Sequence, residues 1–174
     1  CIDFIQNLNE DSENYCNILV FIDAFTRMVT LYPTKEVSTK EILKPLIAFC
    51  CLYGNPQYLH SDNATAFLSE VFAKLSQIMR LSRTTSAPYS HQQNAIVERV
   101  IRTIRERLDE LKAKHPTMDW SILAPIAQRV INAVPHTATG FPPAVLTFGR
   151  NIFSPASMID PSVTVEEAWL QELQ

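Results

Sequence analysis

The chain has 174 residues, 47% hydrophobic and 19% charged, enough for one domain with a real core and too few for two well-stabilised ones. Its formal charge of −3 and pI near 5.8 argue against a generic polyanion binder, whose phosphate contacts come from surplus Lys and Arg. The longest apolar runs, such as ILVFI at 18–22, fall far short of the roughly 20 residues that span a bilayer, and no signal-peptide pattern precedes them, so a soluble protein without a membrane partner is expected.

The first residues, CIDFI, read as the inside of a strand, and because the chain begins with Cys1 rather than Met it is expected to be a piece of a longer polypeptide. NILVFI (17–22) and MVTLYP (28–33) follow as short β-rich runs between polar turns, the pattern of an antiparallel meander. Pro33 is expected to end the third. Ser38 with Glu41 three residues on is a capping-box signature, and Ile42, Leu43, Leu46, Ile47 and Cys50 recur at helical spacing, predicting a helix over 38–53 that Pro45 kinks.

Gly54, Asn55 and Pro56 stop that helix and lead into a very short strand, QYLH, which delivers Ser61, Asp62 and Asn63 at its end. Phe67, Val71, Phe72, Leu75, Ile78 and Met79 predict one amphipathic helix, and a strand follows near 81–85. The order βββαβαβ implies an α/β sheet with helices on its faces. Residues 86–93 read as a loop. A long helix over 94–114 carries Val97, Ile101, Ile104, Leu108 and Leu111 as its core stripe. Another, over 118–133, is introduced by Thr117 or Met118, and Gly140, Pro142, Pro143 and Gly149 mark a short terminal module.

Charge is uneven along this order. Residues 99–114 hold Arg99, Arg102, Arg105, Arg107, Lys112 and Lys114 against Glu106, Asp109 and Glu110, whereas 160–174 hold Asp160, Glu166, Glu167 and Glu172 with no basic residue. Part of the acidity is thus a tail property. The four cysteines form no C-x-x-C pair and have no His at metal-ligand spacing, so neither zinc nor a disulfide framework is indicated. Reduced thiols fit a cytosolic or nuclear setting.

Three carboxylates stand out by position. Asp3 sits between apolar neighbours in the first strand, where an acid is costly to bury unless paired or holding a metal. Asp62 follows the end of a central strand, the usual place for active residues in open α/β sheets. Glu98 projects from the long helix away from its apolar stripe. Magnesium takes hard oxygen ligands and leaves positions for water and phosphate, and a pair of such ions can serve both the attacking and leaving oxygens of a phosphodiester. Asp23 is the rival for the first carboxylate, but a turn-capping role suits its place at the end of a strand better. A supporting role for His60, two before Asp62, is not favoured.

Thirty-five residues separate Asp62 from Glu98. With Asp3 upstream, this resembles the D,D-35-E signature of retroviral and LTR-retrotransposon integrases. YGNPQYLHSDNATAF, SHQQNAIVERVIRTIRERL and NAVPHTATGFPPAVLTFGR resemble, in order, the family's strand-loop motif, its glutamate helix and a terminal segment distinctive of gypsy-type elements. The resemblance implies an RNase H-like fold, with a mixed five-stranded sheet flanked by helices, over residues 1–151, including a helical TGxxP extension. An acidic tail or linker over 152–174 follows.

What the resemblance implies functionally is a metal-dependent polynucleotidyl transferase that processes DNA 3′ ends and joins them to target DNA. Asp3, Asp62 and Glu98 would hold two Mg2+ or Mn2+ ions, and Asn94, Arg102 and Arg105 would meet DNA. Residues 94, 98, 102 and 105 share one helical stripe, in agreement. A homodimer or higher oligomer using helices 38–53 and 118–133, a nuclear place of action reached through the cytoplasm, and room for a host chromatin or protein partner are expected with it. Ala64 and Ala95 replace the family's usual Gly, Ala66 stands where many members have Glu, and His91 lacks its usual following Pro. These departures leave open a domesticated relative that acts as a dimerising protein- or nucleic-acid-binding scaffold. An RNase H-type nuclease would leave the terminal segment unexplained.

Overall fold

The computed structural model describes residues 1–61, 65–85 and 91–150, with backbone alone at 84–85 and 91–96. The expected loop over 86–93 lies partly, and the acidic tail over 152–174 wholly, outside the described residues. In chain order the elements are β1 (Ile2–Ile5), β2 (Asn17–Ile22), β3 (Val29–Thr34), α1 (Thr39–Tyr53), β4 (Tyr58–Ser61), α2 (Thr65–Leu68), α3 (Glu70–Ile78), β5 (Ser82–Thr85), α4 (His91–Lys114), α5 (Trp120–Ala133) and α6 (Pro143–Phe148). The strands form one mixed sheet in the order β3-β2-β1-β4-β5. The first three are an antiparallel meander, while β4 runs parallel to both β1 and β5.

Two-residue alternation divides the core between the sheet's faces. Ile5, Ile18, Val20, Ile22, Val29 and Leu31 pack with Val97, Val100, Ile104 and Leu108 of α4 and Leu123, Ile126 and Ala127 of α5. Ile2, Phe4, Leu19 and Phe21 pack on the other side with Ile42 and Leu46 of α1, Phe67 of α2 and Phe72 of α3. Every residue of β2 is buried, as a strand covered on both faces requires. The stripe of α4 differs slightly from expectation: Val100 is buried and Ile101 only half-buried.

The open edge of the sheet at β3 is closed by side chains of α5. Asp23 donates its amide to Met28, and bonded pairs alternate along an antiparallel ladder, so Val29, Leu31 and position 33 turn their backbone groups outward. The Val29 amide donates to Asn132 Oδ1 at 2.9 Å and its carbonyl accepts from Asn132 Nδ2 at 2.8 Å. Leu31 donates to Gln128 Oε1 at 2.7 Å. At 33 proline has no amide to satisfy, which is why it is tolerated on an edge strand. An exposed edge invites pairing with other chains; here one helix occupies it.

Local expectations are corrected in five places. Strand β3 runs through Pro33 to Thr34, for the reason just given. Helix α1 holds Pro45 inside its span, and its capping box does not form: Ser38 makes no side-chain cap bond, and its hydroxyl is buried without a partner. The single helix expected around 67–79 is two, α2 and α3. Ser69 is extended and its hydroxyl accepts the Phe72 amide at 3.2 Å, restarting the helix in a new phase that leaves Val71 and Ile78 exposed. Helix α4 begins at His91 rather than 94. Helix α5 begins at Trp120, not 118, since Asp119 is extended and holds Ser12 instead. Among the described residues all four cysteines are free, and no helix is long and apolar enough to cross a membrane.

Candidate active site

The site begins where two parallel strands meet. Ile2 of β1 pairs with Ser61, the last residue of β4, so β4 ends beside the residue that precedes Asp3. Asp62 itself lies outside the described residues. Asp3 is half-buried, and its Oδ1 accepts the Phe4 amide at 2.7 Å. By alternation Asp3 shares the sheet face of Cys1 and Ile5. That face is the one α4 covers, through Val97, Val100 and Ile104. His60 of β4 lies on the same side and is buried.

Glu98 follows the buried Val97 and is exposed on the flank of α4, as are Arg102 and Arg105. Arg105 donates to the Gln6 carbonyl at 3.2 Å, tying this flank to the residue just past β1. The backbone of Asn94 lies in α4, one turn before Glu98. Thus the strand carrying Asp3, the strand leading to Asp62 and the helix carrying Glu98 meet on one side of the sheet. Among the described residues, no three His, Cys, Asp or Glu side chains gather closely enough to hold a metal.

Asp23, the rival first carboxylate, is committed elsewhere. Its Oδ2 accepts the Thr26 amide at 2.9 Å and the Thr26 hydroxyl at 2.6 Å, capping the turn between β2 and β3 as expected. Burial raises its pKa, but the Thr26 hydroxyl and the Thr26 and Phe25 amides outweigh that and hold the carboxyl below its usual range. A wide cavity of about 810 Å³ opens near Cys1, lined by Phe25, Phe49, Tyr53, Tyr58 and Phe148 among others. Neither Asp3 nor Glu98 lines it, whereas Asp23 does.

The integrase core domain model matches residues 1–91, a span that includes Asp3 and Asp62 and stops short of Glu98. The chain belongs to the integrase core domain family. The Pol polyprotein of Radiation murine leukemia virus (strain Kaplan) is 34% identical over 156 residues, 84% of this chain and 27% of the polyprotein. The Pro-Pol polyprotein of Simian foamy virus type 1 is 32% identical over 176 residues, 99% of this chain and 15% of the polyprotein. This integrase core therefore spans less than a third of either relative.

Solved structures agree on the fold. The catalytic core domain of BIV integrase superposes with a TM-score of 0.71 at 20% identity, covering 85% of this chain and 91% of that one. The HTLV-2 integrase catalytic core domain in complex with magnesium, in its trimeric form, gives 0.68 at 19% identity, covering 84% and 92%. The RNase H-like architecture expected for an integrase core, a mixed five-stranded sheet flanked by helices, is the one this chain adopts.

Proposed function

We propose that this integrase core is the catalytic centre of a gypsy-type LTR-retrotransposon integrase, cutting the 3′ ends of element DNA and joining them to target DNA. The observation that carries the reading is the pairing of Ile2 with Ser61 beneath the helix of Glu98. It brings the strand of Asp3 beside the end of the strand that precedes Asp62, which supports the reading. Their carboxylate oxygens are the hard donors that Mg2+ or Mn2+ prefers, so the residues fit a two-ion site. Bound there, two such ions would activate the attacking oxygen and stabilise the leaving one.

The chain's own part is to hold and orient. Asp3, Asp62 and Glu98 would hold the ions. Arg102 and Arg105, exposed on the Glu98 flank, clamp phosphates of the element end, and Asn94 borders the site. The first reaction breaks a phosphodiester with water and frees a 3′-hydroxyl. In the second, that hydroxyl attacks a target phosphodiester in line and displaces the 3′-oxygen of the adjacent nucleotide in the same target strand, with no covalent protein intermediate.

Assembly as a homodimer or higher oligomer in the nucleus, with a host chromatin or protein partner, belongs to the same reading. The exposed Ile47 and Leu52 of α1 support a contact there; the apolar face of α5 is already used inside the core. The test is a strand-transfer assay with a labelled DNA end and magnesium, run on the full polypeptide beside Asp62→Asn. Metal-dependent joining abolished by that substitution is expected. Absence of nicking and joining would refute catalysis and favour the scaffold reading that Ala64 and Ala95 suggest.

A further inference from the structure

Helix α2, Thr65–Leu68, is a single turn of four residues. Isolated helices shorter than about 12 residues are marginal in water, so its neighbours must fix where it sits. Its place bears on the candidate site because only residues 62–64 join it to Ser61 at the end of β4. One end of that short connection is set by the pairing of Ser61 with Ile2 and with Thr85. The other end is set by whatever holds α2.

Side chains from remote elements hold it. The Phe67 ring is inaccessible to solvent and lies against those of Phe4 and Phe72, with centroids 5.7 and 5.8 Å away. The last carbonyls of a helix have no partner within it, and here two of them are taken from outside. Thr39, the first residue of α1, donates its hydroxyl to the Ala66 carbonyl at 2.7 Å. Arg83 of β5 donates Nη2 to the Phe67 carbonyl.

Arg83 is itself held. It pairs with Leu59, which belongs to the core on the α2 and α3 side of the sheet, and paired residues of neighbouring strands share a face. The half-buried Arg83 side chain therefore turns toward those helices, with its guanidinium carbon 4.8 Å from the Phe72 ring centroid. A planar guanidinium can stack on a ring and donate sideways at once, which an ammonium cannot.

We propose that Arg83, together with Thr39, is a positioning residue for Asp62. The two side chains fasten α2, and through the short connection they limit where the Asp62 carboxylate can stand when a divalent ion is bound. Neither touches the ion. This role rests on the two-ion reading above. Groups that orient a metal ligand typically change metal affinity by about 10–100-fold, because a ligand in place for only a fraction of the time binds more weakly by that fraction.

The test is titration of the chain with Mn2+ alone, the free ion being read by electron paramagnetic resonance, for the parent, Asp62→Asn, Arg83→Gln, Arg83→Lys and Thr39→Val. Arg83→Gln is expected to weaken binding about tenfold, and Arg83→Lys less, because it keeps a donor and loses the stack. Thr39→Val keeps the side chain's shape and reports even where Arg83→Gln fails to fold. Asn132→Ala, which loosens the clamp of α5 on β3 at the opposite edge of the sheet, controls for lost stability and is expected to keep the parent affinity. Parent affinity in Thr39→Val and in the Arg83 variants that fold, beside a weakened Asp62→Asn, would overturn the positioning role and leave the metal site standing. Equal weakening in Asn132→Ala would overturn it too, since general loosening would then account for the loss. Mn2+ binding unchanged by Asp62→Asn would overturn the two-ion reading and the positioning role with it.

Discussion

Asn132→Ala tests the idea that α5 seals the sheet edge. The residue is fully buried, and its amide is the partner that the outward groups of Val29 have. Val29 itself is inaccessible to solvent, so water does not replace the lost bonds. Each buried amide or carbonyl left unpaired costs on the order of 1–3 kcal/mol, so a loss of roughly 2–5 kcal/mol is expected. At this chain length 1 kcal/mol moves Tm by about 2–4 °C. Urea denaturation should show a lower midpoint with an unchanged slope. Gln128→Ala, which frees one amide, Leu31, should cost about half as much. An Asn132→Ala loss below about 1 kcal/mol, or one no larger than that of Gln128→Ala, would refute the clamp.

Other measurements probe the remaining joints. Ser69→Ala removes the hydroxyl that restarts α3 and should cost about 1 kcal/mol in denaturant; an unchanged midpoint would mean the break at 69 is set by packing alone. Ile104 is wholly buried between α4 and the sheet, so Ile104→Ala should lose about 2–5 kcal/mol by the same assay, and a smaller loss would show that α4 does not seat the Glu98 flank as described. Asp23 has a depressed folded pKa, so its contribution is complete above the ordinary carboxyl value of about 3.9 and disappears as pH falls through the folded value. Asp23→Asn should therefore be less stable than the parent near neutrality, with the gap closing below about pH 4. A gap constant down to pH 2 would contradict the turn-cap assignment.

Burial and period were legible wherever a segment's own pattern carried them. The meander, the long α4 stripe and the short strand before Asp62 follow from apolar spacing, and the candidate triad follows from residue type, position and the interval to Glu98. The split at Ser69 was not legible, because Phe67, Val71 and Phe72 fit one helical face on paper. Choosing between one helix and two depended on Thr39, thirty residues away, whose hydroxyl lies 2.8 Å from Ser69 Oγ and 2.7 Å from the Ala66 carbonyl.

By itself, then, the order of residues determined which faces are apolar, where the three acids stand along the chain, and that Pro33 removes a donor from its strand. Only the tertiary structure decided which backbone groups of β3 turn outward, and that Gln128 and Asn132 meet them. The reason is physical: periodicity is a local property of a segment, whereas satisfying an edge strand's hydrogen bonds depends on packing between segments remote in sequence.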